Sequence, residues 1–570
     1  MNRVNFLKNL TAAARGDISA DLVIKNSKIV DLFNGRIIRA DAAIYKDTIA
    51  GIGSYNGKKI IDAKGCYLLP GFIDGHIHLE STMLSPLEFA KLCLSNGTTA
   101  VVIDPHEIAN VAGIAGIKYI LNETERLIVD FYIMAPSCVP ASNLETYGYM
   151  ITASDIKKLL RLKGVIGLAE VMDFSDVVNG KEAILEKITA AEGRIIDGHA
   201  PLLSGKNLSA YIAAGPASDH EATNINEGKE KLSLGMQLMI REGSIAKDLK
   251  SLIPLVNKHS SNNVSFVSDD LLPTELIRDG HINRILRKAV KLGIDPVMAV
   301  RMATLNTARY FSLKRIGAIA PGYKADMVLV KDLKNFEAQA VIKDGMVVYK
   351  DGEYRINFNK KLLPPFNIIN SVKAKFVDEK DLLIKAKDKI NVIGLIPNEI
   401  LTRWLRLKPK IKNGMAVSDA KRDILKIAVV DRHKASGNIG CGFVKGIGLK
   451  NGAIATSIAH DSHNIISVGG SDKDMAVAIN RIIAMKGGLV IVKDGRALCE
   501  LPLPIAGLMS DKSAKSVADG LDKLERIAKR LGAKTEHPFI TLSFLSLPVI
   551  PELRVTDLGV VDVMKGEIIF

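Results

Sequence analysis

The sequence predicts an α/β protein: a metal-dependent (β/α)8 TIM-like barrel, a small composite β-sandwich and an appended C-terminal α+β domain. Three observations predict it. Apolar runs and amphipathic segments alternate about eight times between residues 69 and 315, strand-rich stretches of one texture flank that region, and the texture changes again near residue 355. A chain of 570 residues is also too long for one ordinary domain.

Residues 1–68 hold the first half of the sandwich. "ADLVIKNSKIVDLFNGRIIRADAAIYKDTIAGIG" carries short β-branched runs with turns at "NG" and "YKD". Residues 316–354 repeat the pattern in "GAIAPGYKADMVLVKDLKNFEAQAVIKDGMVVY" and supply the second half. Between them, in 69–315, apolar runs end at Asp74, Asp104, Ser137, Glu170, His199, His220, Arg241 and Asp269. "CYLLPGFID" reads as the first, one short buried strand, and the sixth and seventh are weak by periodicity. Helical segments such as "SPLEFAKLCLSNG" and "HINRILRKAVKLG" follow most of them. Residues 355–570 form the third domain; in it "SVGGSDKDMAVAI" reads as a glycine turn and an N-cap opening a helix, and Trp404 reads as a core residue.

An apolar content of 47% and a charged content of 24% are those of a globular chain. No apolar run reaches the length of a membrane span and no signal-peptide pattern opens the sequence, so no membrane partner and a cytoplasmic location are expected. Cys66, Cys93, Cys138, Cys441 and Cys499 are odd in number and lack a CxxC pair, which fits reduced thiols. The net charge of +15 raises nucleic acid as a partner. The lysines, however, are scattered, aromatic content is 5%, and no basic–aromatic interleaving occurs, so the charge reads as a solvated surface and no nucleic acid is expected.

The polar residues at the strand ends carry the chemistry. His76 and His78, in "GFIDGHIHLEST", are an i, i+2 pair whose rings share one face of an extended backbone. Alone, they are either a metal site or two surface histidines, and His199 and His220 alone are either ligands or loop histidines. Barrel topology changes the balance, because it gathers His76, His78, Glu170, His199, His220 and Asp269 at one mouth. Four imidazoles and two carboxylates can hold two divalent ions, with Glu170 bridging and a hydroxide shared between them. Manganese, iron and zinc all suit such ligands.

"PGFIDGHIHLEST", "MATLNTARYFSL" and "GAIAPGYKADMVLV" resemble the amidohydrolase superfamily. Within it the longer resemblance is to the adenine deaminase family of bacterial and archaeal type. It is carried by "HIHLESTMLSPLEFAKLCLSNGTTAVVIDPHEIANVAG", "GLAEVMDF", "DGHAP", "SDHEAT", "REGS" and "SDD", and in the third domain by "DRHKASGNIGCGFVKGIGL" and "ATSIAHDSHNIISVGGSDKDM". Glu170 stands where cyclic-amide hydrolases of the superfamily have a carboxylated lysine, which argues against those relatives.

The resemblance implies hydrolytic deamination of adenine to hypoxanthine and ammonia, in purine salvage or catabolism, by a metal-bridged hydroxide. It implies two divalent ions per chain, with Mn(II) the first choice and Fe(II) or Zn(II) fitting the same ligands, and a homodimer or higher homo-oligomer. Asp269 is assigned as the group that takes the water's proton and passes it to the leaving amine, and Glu170 as the carboxyl facing N1. Asp104 and His106, in "DPHE", are supporting groups, with an N-cap or turn role before Pro105 as the alternative for Asp104. Asp270 could replace Asp269 as the ligand. Ser137, Arg241 and Glu242 are candidate substrate contacts from their strand-end positions only. His460, Asp461 and His463 in "AHDSHN" read either as a metal site of their own or as a polar loop closing over the barrel mouth. The rival readings are another binuclear amidohydrolase acting on a different aminated heterocycle or cyclic amide, and a catalytically silent scaffold of the same fold.

Overall fold

The computed structural model describes residues 2–358, 362–397 and 399–569. Among these residues the central unit is a parallel barrel of eight strands: β1 (Phe72–Ile77), β2 (Thr98–Ile103), β3 (Asp130–Ala135), β4 (Val165–Val171), β5 (Ile195–Gly198), β6 (Ser218–Asp219), β7 (Gln237–Arg241) and β8 (Val264–Val267). Hydrogen bonding is continuous through β1 to β5 and again through β6 to β8. Two seams close the ring. The Asp269 amide donates to the His76 carbonyl at 2.9 Å, and the Ala217 amide donates to the Ile196 carbonyl at 2.9 Å. Helices such as Pro86–Ser95, His106–Thr124 and Gly205–Ala214 return the chain from one strand to the next, and Ile282–Lys291 follows the last. The fold class read from the sequence holds.

β6 is short for a physical reason. Its Asp219 is fully buried, and the carboxylate accepts from the amides of Ala200, Glu221 and Ala222 and pairs with Lys231 Nζ at 2.8 Å. The segment is thus held by a buried ion pair and backbone donors rather than by apolar side chains, which is why periodicity hardly marks it.

The run "CYLLPGFID" is two strands, not one. Tyr67–Pro70 pairs antiparallel with Met327–Val330, whereas Phe72–Ile77 enters the barrel. Gly71 makes the switch: a Cβ there would overlap the Thr99 side chain. The pairing joins both flanking segments into one sheet of nine strands among the described residues. Leu22, Ile24, Ile44, Leu68, Met327, Leu329 and Ile342, from both segments, share its core. A helix over Arg3–Arg15, capped by Asn2 and ended by Gly16 in the left-handed region, packs against this sheet at Ala13, Tyr45 and Ala50.

The C-terminal region has its own sheet, eight strands among the described residues in the order Thr402–Leu407, Ile390–Leu395, Ile439–Lys445, Ile424–Val430, Ile465–Gly469, Ala453–Thr456, Gly488–Lys493 and Arg496–Pro502. Helix Asp472–Met485 packs on it, opened by Ser471, whose hydroxyl accepts from the Asp474 amide. Trp404 departs from the expectation of a core position. It is half-buried on the edge strand, with its indole N–H on Asn391 Oδ1 at 3.0 Å. An edge strand has only one neighbour, so its side chains are covered on one side only. The five cysteines are free, and among the described residues no helix is long and apolar enough to cross a membrane.

Candidate metal centre

Barrel geometry sets the site. His76 is the penultimate residue of β1 and His78 follows its last, so both rings enter the same mouth. Their Nε2 atoms stand 3.2 Å apart. Two nitrogens held by one ion at about 2.1 Å in tetrahedral geometry would lie about 3.4 Å apart, so the spacing fits shared ligation. The His78 Nδ1 faces the Asp104 carbonyl at 3.2 Å, which turns Nε2 inward, the outer-shell arrangement usual for a ligating imidazole.

Glu170, near the end of β4, sits between two groups of histidines. Its Oε1 lies 3.4 Å from His78 Nε2, 4.0 Å from His76 Nε2 and 3.6 Å from His106 Nδ1. Its Oε2 lies 2.7 Å from His199 Nδ1 and 3.1 Å from His220 Nε2. Asp269 completes the first group, with Oδ1 3.1 Å from His78 Nε2 and 3.6 Å from His76 Nε2. Asp269 itself adopts φ 56°, a left-handed conformation costly for a non-glycine residue and held by its amide bond to His76. All six expected ligands therefore meet in one mouth, and one carboxylate joins two sub-clusters.

The electrostatics fit a cation. Burial would push the Glu170 carboxyl up, but His220 and His199 beside it hold it well below the usual carboxylate range. Asp269 is likewise held well below, against its burial, by His76, His78 and the Arg241 guanidinium. The imidazoles answer in kind: burial opposes charge, yet Glu170 raises His220 to about 9, and Asp269 and Glu170 raise His78 well above its ordinary value. The same carboxylates that draw positive charge onto these rings would attract a divalent ion, whose binding needs the rings neutral. Asp104 Oδ1 and His220 Nδ1 are buried without a partner. The donor set of imidazoles and carboxylates thus suits a divalent metal.

The supporting residues divide. Asp104 faces His106, Oδ2 to Nδ1 at 3.0 Å, and His106 lines the cavity. Asp270 also lines the cavity and accepts from the Ser81 hydroxyl. Arg241 reaches the cavity, but its guanidinium is engaged: it bonds Glu221, Asp269 Oδ2 at 2.9 Å and Asp248 Oδ2 at 3.2 Å. Ser137 and Glu242 do not line it. The Ser137 hydroxyl donates to the Glu170 carbonyl and so fixes the backbone that carries the central carboxylate. Glu242 is buried outside the cavity, accepting from Lys288 Nζ at 2.7 Å and from the Leu249 amide at 3.4 Å. A strand-end position fixes where a backbone stops, and the alternation of side chains decides which way each one points.

Two carboxylates, Glu221 and Glu107, escaped the sequence reading. Glu221 follows His220, with Oε1 3.5 Å from His220 Nε2 and 3.6 Å from His199 Nδ1, so it could hold an ion on that side. Its signal was the carboxylate next to a ligand in "SDHEAT". Glu107, on the barrel helix His106–Thr124, meets the histidines of "AHDSHN" from the C-terminal domain. His460 and Asp461 line the cavity, and Glu107, His460 and His463 form a further buried cluster whose ligand atoms lie within 4.8 Å of one another. Both readings of "AHDSHN" find a counterpart: His460 and Asp461 line the cavity at the barrel mouth, and His460 and His463 sit with Glu107 in a buried group of potential ligands.

Two family models match the chain: the amidohydrolase family over residues 67–348 and the adenine deaminase C-terminal domain over 399–567. The chain is 47% identical to the adenine deaminase of Kosmotoga olearia, over 98% of each chain. It is 45% identical to adenine deaminase 2 of Carboxydothermus hydrogenoformans over 99% of each, and 48% identical to the adenine deaminase of Desulfatibacillum aliphaticivorans over 97% of each. Both halves of the double match lie along one chain, in the order and at nearly the length of these relatives, and the chain belongs to the adenine deaminase family of metal-dependent amidohydrolases.

Proposed function

We propose that the protein hydrolyses adenine to hypoxanthine and ammonia at the barrel mouth. Near-full-length similarity to adenine deaminases supports the reaction. The single structural observation that carries it is Glu170, whose two oxygens face two separate groups of histidines in the cavity. His76, His78 and Asp269 would hold one divalent ion and His199 and His220 a second, with Glu170 between them; Mn(II) is our first choice, and Fe(II) or Zn(II) fit the same donors. Bound there, the ions would supply hydroxide near neutral pH by lowering the pKa of a bound water.

The chain's own residues handle the protons and the base. Attack of water at C6 makes that carbon tetrahedral and loads electron density onto N1. Asp269, an ionised carboxylate beside both histidines, accepts the water's proton and passes it to the departing amine, which leaves as ammonia. N1 gains the water's second proton, which the C6 hydroxyl gives up as it becomes the carbonyl, and Glu170 is the carboxyl we place to relay it. His106, paired with Asp104, orients groups on the His78 side. We extend the reading to a cytoplasmic homo-oligomer, in keeping with five free cysteines, and light scattering would check the assembly.

The test is a steady-state assay of ammonia release from adenine, cytosine and guanine after chelation, with and without added Mn(II). Release from adenine that returns with the metal supports the reading. A preference for cytosine or guanine would replace it with the other heterocyclic amidohydrolase.

A further inference from the structure

We infer that Asp461, from the C-terminal domain, binds the free base by accepting a hydrogen bond from the N–H of its imidazole ring, so that the appended domain reads the substrate. The inference rests on the proposed reaction and extends it to the far end of the ligand.

The cavity has two owners. The barrel supplies the polar floor, and the C-terminal domain supplies Ile400, Phe544, Leu547, Val549 and Ile550 as an apolar wall. A planar aromatic base suits a slot with one apolar side and few polar groups. His460 and Asp461 are the polar residues set beside that wall, and Asp461, the hydrogen-bond acceptor carrying charge, is only 4% exposed. Its Oδ1 lies 3.7 Å from His106 Nε2, while Oδ2 is buried and has no partner. A buried carboxylate oxygen without a donor is expensive, so a donor in the cavity would be bound with real discrimination.

Geometry says which donor. His106 spans the interval between the two ends, with Nδ1 3.6 Å from Glu170 Oε1 and Nε2 3.7 Å from Asp461 Oδ1. A base whose C6 sits by Glu170 therefore lies alongside His106, with its five-membered ring reaching towards Asp461. The 6-amino group is taken up at the histidine end, which leaves the imidazole-ring N–H as the donor. Asp461 is also held in place before any ligand arrives. The Ser462 hydroxyl donates to Glu145 Oε2 at 2.6 Å, the Asn464 amide donates to the Thr146 carbonyl at 2.8 Å, and His433 Nε2 meets the Ser462 carbonyl at 2.6 Å. Barrel residues and third-domain residues thus clamp the same loop.

The experiment compares wild type with Asp461→Asn, both loaded with Mn(II), on adenine and on 9-methyladenine, which has no imidazole N–H. For D461N we expect metal content unchanged, KM for adenine raised at least about tenfold and kcat within about threefold. Wild type should prefer adenine over 9-methyladenine by about 100-fold or more, and D461N should narrow that ratio, because it gives up the hydrogen bond that only adenine can make. A purely steric rejection of the methyl group would leave the ratio unchanged in D461N, and that result overturns the inference. Equilibrium dialysis with adenine keeps the two proposals separate. If wild type releases no ammonia, the reaction fails, yet equal adenine binding by wild type and D461N would still sink the role of Asp461 and weaker binding by D461N would uphold it.

Discussion

At the scale of single residues, the site turns on side chains whose ionisation the neighbours have fixed. Asp269 is buried between two imidazoles and a guanidinium, so Asn at this position keeps the shape and removes the proton acceptor. Asp269→Asn should lower kcat by about 10²–10⁴ while near-ultraviolet circular dichroism is unchanged. Near-normal turnover by the pure, metal-loaded variant would refute the role. His433 gives a pH prediction of definite sign. Burial in the third domain pushes its imidazole down to about 3, well below the usual 6.5. Below pH 6.5 the unfolded chain binds a proton that the folded chain refuses, so the stability contributed is complete above that value and falls as pH drops towards 3. Melting temperature should therefore decrease between pH 7.5 and 5, and His433→Gln should lose less over that interval. Parallel decreases in the two proteins would show that another group controls the acid limb.

At the scale of elements, the ends of β6, β7 and β8 are tied by one guanidinium. Arg241, on β7, bonds Glu221 just after β6 and Asp269 just after β8. Removing it leaves two buried carboxylates facing each other beside the ligands. Arg241→Gln should weaken metal binding or activity by about 10–100-fold, as outer-shell substitutions do. Titration of chelated protein with Mn(II) would read this directly, and wild-type affinity in the variant would mean that the strand ends hold their geometry without the ion pair. The site's elements were unevenly legible. β1 and β8 announce themselves by an apolar run followed by a ligand, whereas β6 is a polar dipeptide stabilised by Asp219 and Lys231. Ser137 and Glu242 mark the limit of strand-end reasoning: the position was right, but one hydroxyl serves a backbone carbonyl and one carboxylate turns to Lys288.

At the scale of the whole molecule, the third domain is part of the site rather than an ornament. Thr146 donates to Asp557, Ala514 to Glu88 and Ser510 to the Met83 carbonyl, so that domain is joined to the barrel around the mouth. Metal should stabilise the assembly as any ligand of the native state does. Elemental analysis should find about two divalent ions per chain, and chelation should abolish deamination and lower the melting temperature. Mn(II) at 100 times its Kd should return about 2.7 kcal/mol of stability per ion together with the activity. An active protein free of metal would contradict the centre described above.

The sequence by itself determined what is local or periodic. The alternation of strands and helices, the two strand-rich flanking segments, the i, i+2 histidines after an apolar run and the carboxylate closing the fourth strand all follow from the chemistry of neighbouring residues and the two backbone periods. Tertiary structure alone decided what depends on residues meeting across hundreds of positions. It set Asp461 beside His106, Arg241 between Glu221 and Asp269, and the switch of Tyr67–Pro70 into the other sheet. The reason is physical: a contact between distant segments is fixed by how two folded surfaces pack, and no short stretch of sequence records the shape of its eventual partner.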